Sequence, residues 1–195
     1  MYEAGKAVLR RLYHSAAYLH YFRGKGIDIG AGNDPLAAYA ALFPLITSIR
    51  LWDVQDGDAQ KMEGVKDQTF DFVHSSHCLE HLHDPFEALA NWVRITKPGG
   101  HLVLTFPDED LYEQGVFPST FNPDHKHTFT VAKAESWSKV SVNVTDLVKH
   151  VAKDAACVSL QRLELSYIPN APRCDQTMTP VGESAIELVL RRRAV

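Results

Sequence analysis

The decapeptide from Gly26 to Pro35, Gly-Ile-Asp-Ile-Gly-Ala-Gly-Asn-Asp-Pro, can bring a bare backbone against a ligand. Ile27 and Ile29 read as a strand tip, and Gly30-Ala-Gly32 as a turn without large side chains. Asp34-Pro35 then has the types that open a helix: a side chain able to cap free N–H groups, and a residue suited to the first helical position. Strand, glycine turn and helix together frame a nucleotide-cofactor loop. A dinucleotide site wants a third glycine and a clear helix N-terminus for the diphosphate. Asp34 and Pro35 stand in that place, and a carboxylate there repels a diphosphate. It accepts a cofactor with a positive centre and no phosphate; S-adenosylmethionine, a sulfonium bearing an amine, a carboxylate and an adenosine, has that chemistry. Asp53 ends the apolar run from Ile49, 23 residues after Gly30. An acid near that distance can accept hydrogen bonds from both ribose hydroxyls.

Two groups of histidines come next. His77-Cys-Leu-Glu80-His81 spells H-x-x-E-H, an inverted zinc-protease signature. If the segment is helical from His77, two histidines four apart share a metal and Glu80 serves as general base. That reading leaves the glycine turn, Asp53 and Lys97-Pro-Gly-Gly unexplained, and the expectation is a protein without a metal. Ser75-Ser76-His77 sits instead at a strand's carboxyl end, where open parallel sheets hold ligands. Histidine is the side-chain type whose ordinary pKa lies near neutrality, and His125 and His127 are the expected catalytic bases. Asp108, Asp110 and Tyr112 follow the fifth strand and are the expected acceptor-binding groups.

The elements that must position these groups follow from periodicity. Residues 3–22 read as a helix with Ala7, Val8, Leu12, Ala16 and Leu19 near one face. The first strand carries Ile27 and Ile29, a helix spans about 35–42, and a second strand ends at Asp53. Gly57-Asp58-Ala59 follows too soon for a crossover helix and a third strand. Phe70-Asp-Phe-Val73 is the next strand. Phe86 to Ile95 is helical, with Phe86, Leu89, Ala90 and Val93 as its apolar face, and His101 to Phe106 is the fifth strand of the usual topology. Residues 107–144 form a long insertion on the ligand edge, and such insertions are usually functional. A helix capped by Thr145 and two alternating strands, around Leu163 to Tyr167 and Ile186 to Leu190, close the chain. The fold class is α/β: a Rossmann-like doubly wound sheet, mostly parallel, with an antiparallel C-terminal edge strand and six strands, the third being shortened or absent.

Ile27-Asp-Ile-Gly-Ala-Gly, Gly57-Asp-Ala, Phe70-Asp-Phe-Val, Cys78-Leu-Glu-His-Leu-His-Asp-Pro and Lys97-Pro-Gly-Gly, in that order, resemble the class I S-adenosylmethionine-dependent methyltransferases, in particular the small single-domain type 11 members. The resemblance covers roughly residues 20–110. It implies that Asp28, Gly30 and Gly32 line the methionine end of S-adenosylmethionine and that Asp53 holds the ribose. Asp58 and Ala59 would edge the adenine, while Ser75 and His77 would flank the sulfonium. The implied product is S-adenosylhomocysteine. The whole chain, 1–195, is expected to be one methyltransferase domain, with the N-terminal helix (1–22) at one end and 107–144 roofing the acceptor site.

Composition narrows the function classes. The chain has 195 residues, 45% of them hydrophobic, and a formal charge of -4. That suits one compact domain and offers no broad basic face, so nucleic acid is excluded as the main partner. No run of about 18 apolar residues points to a membrane. Three irregularly spaced cysteines fit neither a disulfide framework nor a zinc knuckle, and imply a reducing, cytoplasmic setting. The expected activity is methyl transfer to a hydroxyl or amine of a small-molecule acceptor. A non-catalytic cofactor-binding module is the alternative, and an NAD-dependent oxidoreductase is disfavoured by Asp34-Pro35. The acceptor's identity and the oligomeric state are left open.

Overall fold

The computed structural model describes residues 3–14 and 16–194; Met1, Tyr2, Ser15 and Val195 lie outside the described residues, including those of the expected N-terminal helix. Two helices, α1 (Glu3–His14) and α2 (Ala17–Tyr21), precede β1 (Gly24–Ile29). Then come β2 (Ile46–Trp52), β3 (Phe70–Ser76), α3 (Pro85–Ile95) and β4 (Thr96–Pro107). A small parallel pair, β5 (Thr128–Thr130) and β6 (Ser141–Asn143), leads into α4 (Val144–His150), and β7 (Ala155–Leu163) and β8 (Ala185–Arg192) end the chain.

The main sheet has six strands in the order β2-β1-β3-β4-β8-β7. All neighbours are parallel except β8, which runs antiparallel to both β4 and β7. Between Asp53 and Phe70 the chain makes one 3₁₀ turn, Val54–Asp56, and no strand. The third strand of the usual topology is absent, as the spacing suggested: that interval is too short for a crossover helix and its return.

Strand alternation assigns the two faces. Ile27, Ile29, Val73, Leu102, Leu104, Ile186 and Leu188 join Leu89, Trp92 and Leu147 of α3 and α4 in the larger core. Phe72, Val103 and Val189 face the other way and pack with Val8, Phe22, Leu36 and Phe43. Fully burying each such Leu, Phe or Val stabilises by about 1.5–3 kcal/mol before entropy is counted.

Several local expectations are revised. The first helix is two: α1 buries Ala4, Ala7, Val8 and Arg11, while Leu12 is exposed. Its inner stripe is a step earlier than the apolar residues suggest because Arg11 lies within it. The segment after the glycine turn, Leu36–Leu42, is a 3₁₀ helix, and only Leu36 in it is buried. In α3, Ala90 is exposed; Ala88 and Trp92 are buried with Leu89 and Val93. Asp84 caps α3 by accepting from Phe86 N and Glu87 N. Thr145 lies inside α4, whose N-cap position is Asn143. The penultimate strand ends at Leu163 instead of running to Tyr167. No described helix is long and apolar enough to cross a membrane.

Candidate functional site

β1 and β3 end side by side on the carboxyl edge of the sheet, and the glycine turn folds between them and β2. Gly30 N and Ala31 N both donate to Trp52 O, at 2.9 and 3.2 Å. Gly30 has φ +72°, and a Cβ built on it would lie 2.5 Å from Cys78 Cβ. Both the left-handed backbone and the close approach therefore require glycine. Asp53, at the tip of β2, accepts from Gly32 N at 3.1 Å and from Val54 N at 2.8 Å. One carboxylate thus ties the glycine turn to the segment that follows β2.

The polar residues around this turn are held from three sides. Asp28 accepts from Leu36 N at 2.7 Å and from His74 Nδ1 at 2.6 Å. Asp34 does not cap the helix behind the turn. Pro35 is extended, so the helix starts late and its first N–H goes to Asp28. Asp34 instead accepts from Gly5 N of α1 at 3.0 Å and from Tyr39 Oη at 2.6 Å. The N-terminal helix is thereby pinned over the glycine turn. A cavity of about 160 Å³ remains there, lined by Glu3, Asp28, Asp34, His77 and the turn itself, with no lysine or arginine.

A buried polar stripe runs behind this cavity. Asp28, His74, Thr105 and Glu187 come from β1, β3, β4 and β8 on the α1 face of the sheet. Arg11 is fully buried and donates to Glu187 at 2.6 Å, to Thr105 Oγ1 at 3.0 Å and to His74 Nε2 at 3.2 Å. A guanidinium has no acceptor, so His74 presents a lone pair to Arg11 and donates through Nδ1 to Asp28. Arg10 forks onto Glu187 and Glu183, and Tyr18 Oη donates to Glu187. Burial alone would raise the Glu187 pKa, but the two guanidiniums outweigh it and hold it at about 2.

The expected site residues divide into two sets. Asp28, Gly30, Gly32 and His77 meet in the cavity, with Asp53 bonded to its turn. Ser75 is buried and donates to Ile29 O at 2.9 Å. Asp58 is exposed and accepts from Gln60 N; Ala59 O accepts from Trp92 Nε1 at 2.8 Å. Asp108, Asp110, Tyr112, His125 and His127 lie outside the cavity lining. Asp108 is buried and accepts from Asp110 N and Leu111 N, and burial raises its pKa to about 6 although Arg162 stands 3.3 Å away. Asp110 binds Lys133 at 2.6 Å and Trp137 Nε1 at 3.0 Å. Tyr112 packs against Phe121 and His125. His125 meets the Glu113 carboxylate through Nδ1 at 2.7 Å, and His127 Nε2 donates to His83 O at 3.0 Å.

Two imidazoles line the cavity, His74 and His77, and His74 is held through both ring nitrogens by Asp28 and Arg11. His77 has φ +53°, so no helix runs from it, and the helical pairing that the H-x-x-E-H signature needs is missing. Burial opposes its charged form, but the Glu80 carboxylate 3.4 Å away outweighs this and raises its pKa. Glu3 and His74 were missed by the sequence reading, and Asp34, expected as a helix cap, instead holds α1. Only His74 left a local trace, a polar residue inside an apolar strand. A second cavity of about 610 Å³ lies between α1 and β7, beside Arg10 and Arg162. It is larger but holds none of the glycine-turn residues.

Comparison with known proteins agrees with this geometry. A family model described as "Methyltransferase domain" matches residues 4–141. An uncharacterized methyltransferase of Schizosaccharomyces pombe is 40% identical over 58 residues, 30% of this chain and 20% of that one. A ubiquinone biosynthesis O-methyltransferase of Aliivibrio fischeri is 31% identical over 115 residues, 58% of this chain and 42% of that one. The matches thus span less than half the length of either relative. Among solved structures, an S-adenosylmethionine-dependent methyltransferase of Archaeoglobus fulgidus superposes with TM-score 0.60 at 18% identity, covering 98% of this chain and 94% of that chain. A chain from the complex between the Haloferax volcanii Trm112 methyltransferase activator and a putative methyltransferase gives 0.56 at 15% identity, covering 99% and 98%. At these identities the structural likeness speaks for the fold.

Proposed function

Because this chain belongs to the class I S-adenosylmethionine-dependent methyltransferase family, we propose that it moves the cofactor's methyl group to a hydroxyl or amine of a small-molecule acceptor. The observation that carries the cofactor assignment is the charge of the cavity. Glu3, Asp28 and Asp34 line it and no lysine or arginine does. Carboxylates favour a sulfonium and an ammonium and disfavour a diphosphate.

The residues present fit that cofactor. Gly30 and Gly32 keep the turn open to its methionine end, and Asp53 is the acceptor for its ribose. Asp58 and Ala59, further along the same edge, would border the adenine, and Ser75 braces β3 against β1 beneath the sulfonium. When bound, the cofactor supplies an electrophilic methyl group. The chain's part is to hold an acceptor atom in line with it and exclude water. A hydroxyl acceptor also requires a base, and an amine need only arrive neutral. His77 is the imidazole placed to take a proton in the cavity. His125 stands behind it across Glu80, and His127 closes the segment, as parts of the 107–144 roof. Asp108, Asp110 and Tyr112 then serve the acceptor by holding that roof in shape.

Thermal-shift titration with S-adenosylmethionine, S-adenosylhomocysteine and NAD tests the cofactor. A stabilising shift with the first two and none with NAD is expected; a shift with NAD alone rejects the reading. Release of S-adenosylhomocysteine across a panel of phenols, sugar alcohols and amines tests turnover. Binding without release from any acceptor would point to the non-catalytic module.

Asp53→Ala should weaken cofactor binding by about 1.5–3 kcal/mol, the range for hydrogen bonds to a charged group. The fold should persist, because Asp53 is only partly buried at a strand tip. Calorimetry on the folded variant decides this, and an unchanged affinity would remove Asp53 from the site.

A further inference from the structure

We propose that Glu80, His81 and His125 bind a divalent transition-metal ion, zinc being the best match. The reading stands on geometry and does not depend on methyl transfer.

The three side chains come from two segments that the backbone holds together. Glu80 and His81 are in the 3₁₀ turn Leu79–His81 after β3. Lys126 N and His127 N both donate to Glu80 O, at 2.8 and 3.3 Å, which clamps the His125 segment onto that turn. His81 Nε2 then lies 3.9 Å, and His125 Nε2 4.0 Å, from the same oxygen, Glu80 Oε1. One ligand atom from each of the three residues lies within 4.8 Å of the other two, the one such grouping of histidine, cysteine and carboxylate among the described residues.

Those distances are too long for hydrogen bonds. Glu80 is 1% exposed, yet neither of its carboxylate oxygens has a hydrogen-bond partner. His77 Nδ1 is the nearest ring nitrogen, 3.4 Å from Oε1, and makes no hydrogen bond to it. A buried carboxylate without a hydrogen-bond donor costs several kcal/mol, and the one imidazole 3.4 Å away offsets only part of that, which leaves room for a further positive charge. The outer nitrogens explain which kind. His81 Nδ1 donates to Asp124 Oδ2 at 2.8 Å, and His125 Nδ1 to Glu113 Oε1 at 2.7 Å. A carboxylate on Nδ1 fixes the tautomer and leaves Nε2 as a lone pair aimed inward, the arrangement that surrounds imidazole metal ligands. Two lone pairs and a carboxylate thus converge with no donor between them.

Tetrahedral bonds of about 2.0–2.1 Å place ligand atoms roughly 3.3–3.5 Å apart. The present separations reach that with side-chain shifts of about an ångström or less. Two imidazoles and one carboxylate favour zinc, cobalt or nickel over magnesium and calcium, which prefer oxygen alone. Three protein ligands are also the usual count where one position stays open. His81 is the ligand nearest solvent, its side chain 25% exposed against 3% and 1% for His125 and Glu80. In this reading His125 is a ligand and not a base, and the H-x-x-E-H segment supplies Glu80 and His81 to a site that its first histidine does not join.

The test is metal binding by the tag-free full-length protein, with zinc and cobalt as probes and magnesium as comparison. One equivalent of zinc or cobalt is expected by elemental analysis, with a Tm increase that magnesium does not give and intense visible cobalt bands of low coordination number. Glu80→Gln, His81→Ala and His125→Ala should each lower affinity by about 100-fold or more, and Glu113→Gln and Asp124→Asn by about 10- to 100-fold. His83→Ala, an exposed histidine nearby, should leave it unchanged. Circular dichroism establishes that each variant is folded, and the wild-type cobalt spectrum and Tm shift stand without any variant. The proposal is overturned if folded wild-type protein takes up neither probe stoichiometrically, or if uptake survives both Glu80→Gln and His125→Ala. Zinc uptake without methyl transfer would leave the metal site standing and reject only the methyltransferase activity.

Discussion

Glu187→Ala is expected to destabilise the protein by about 3–5 kcal/mol, the range for breaking one side of a buried ion pair. Glu187 is 2% exposed and Arg11 is fully buried, so truncation leaves a guanidinium in the interior with only Thr105 and His74 as partners. Arg10 and Tyr18 lose the same acceptor. A small domain has about 5–15 kcal/mol in total, so the loss is a large part of it. The damage should appear first in α1, which is fastened to the sheet through Arg10 and Arg11. Since α1 carries Glu3 and the Gly5–Asp34 bond, cofactor affinity should fall with stability. Glu187→Gln keeps the shape and removes the charge, and should fall between wild type and alanine. Urea unfolding measures all three, and a change below about 1 kcal/mol for alanine would show that the stripe holds little. The pH dependence has a definite sign. The folded pKa of Glu187, about 2, lies below its ordinary value of 4.5. Its contribution is therefore complete above pH 4.5 and is lost as pH falls from about 4.5 to about 2. The alanine variant should lack that part of the acid transition.

Gly30→Ala is expected to abolish measurable cofactor binding while leaving a folded, less stable protein. At φ +72° an L-residue is strained by roughly 1–2 kcal/mol. The added Cβ would also meet Cys78 Cβ at 2.5 Å and Sγ at 2.8 Å. The sulfur can rotate, but Cys78 Cβ cannot move without its backbone, and Cys78 begins the turn that bears Glu80. Relief must then come from the glycine turn, which would pull Gly32 from Asp53 and shift the lining of the cavity. Calorimetry with S-adenosylhomocysteine reads the affinity and thermal melting reads the fold. Cys78→Gly on the Gly30→Ala background should restore part of the binding, because it removes the clash and leaves only the backbone strain. Tight binding by Gly30→Ala alone would mean that the cofactor lies elsewhere.

Much of the fold was legible locally. The order of short motifs identified the sheet, and the interval between Asp53 and Phe70 showed that it lacks a third strand. Glycine at position 30 announced a close backbone approach, which the structure shows against Cys78. What failed to show was any contact whose partner is remote. Nothing local marks Arg11 as buried, since a charged residue on a helix usually faces solvent, and its partners come from three strands. Hydrophobic periodicity therefore set the helix face by Leu12, which is exposed. Asp34 looked like a local cap, since Asp-Pro so often is one; its acceptor role goes to Gly5, far back in the chain.

The amino-acid sequence by itself determined the family, the sheet class and the type of cofactor. Those depend on local properties: strand alternation, a turn that only glycine can make, and a carboxylate where a diphosphate would need to sit. Tertiary structure alone decided how the N-terminal helix closes the cavity, that His74 lines it beside His77 and which three residues converge around Glu80. His77 and His81 are four apart in sequence, yet a left-handed residue at the strand end turns them away from a shared helical face. His125 is distant in sequence, yet two hydrogen bonds to Glu80 O bring its segment against the same turn. The physical reason is that burial and convergence depend on which backbone segments pack together, and spacing along one segment cannot report on a partner that arrives from another.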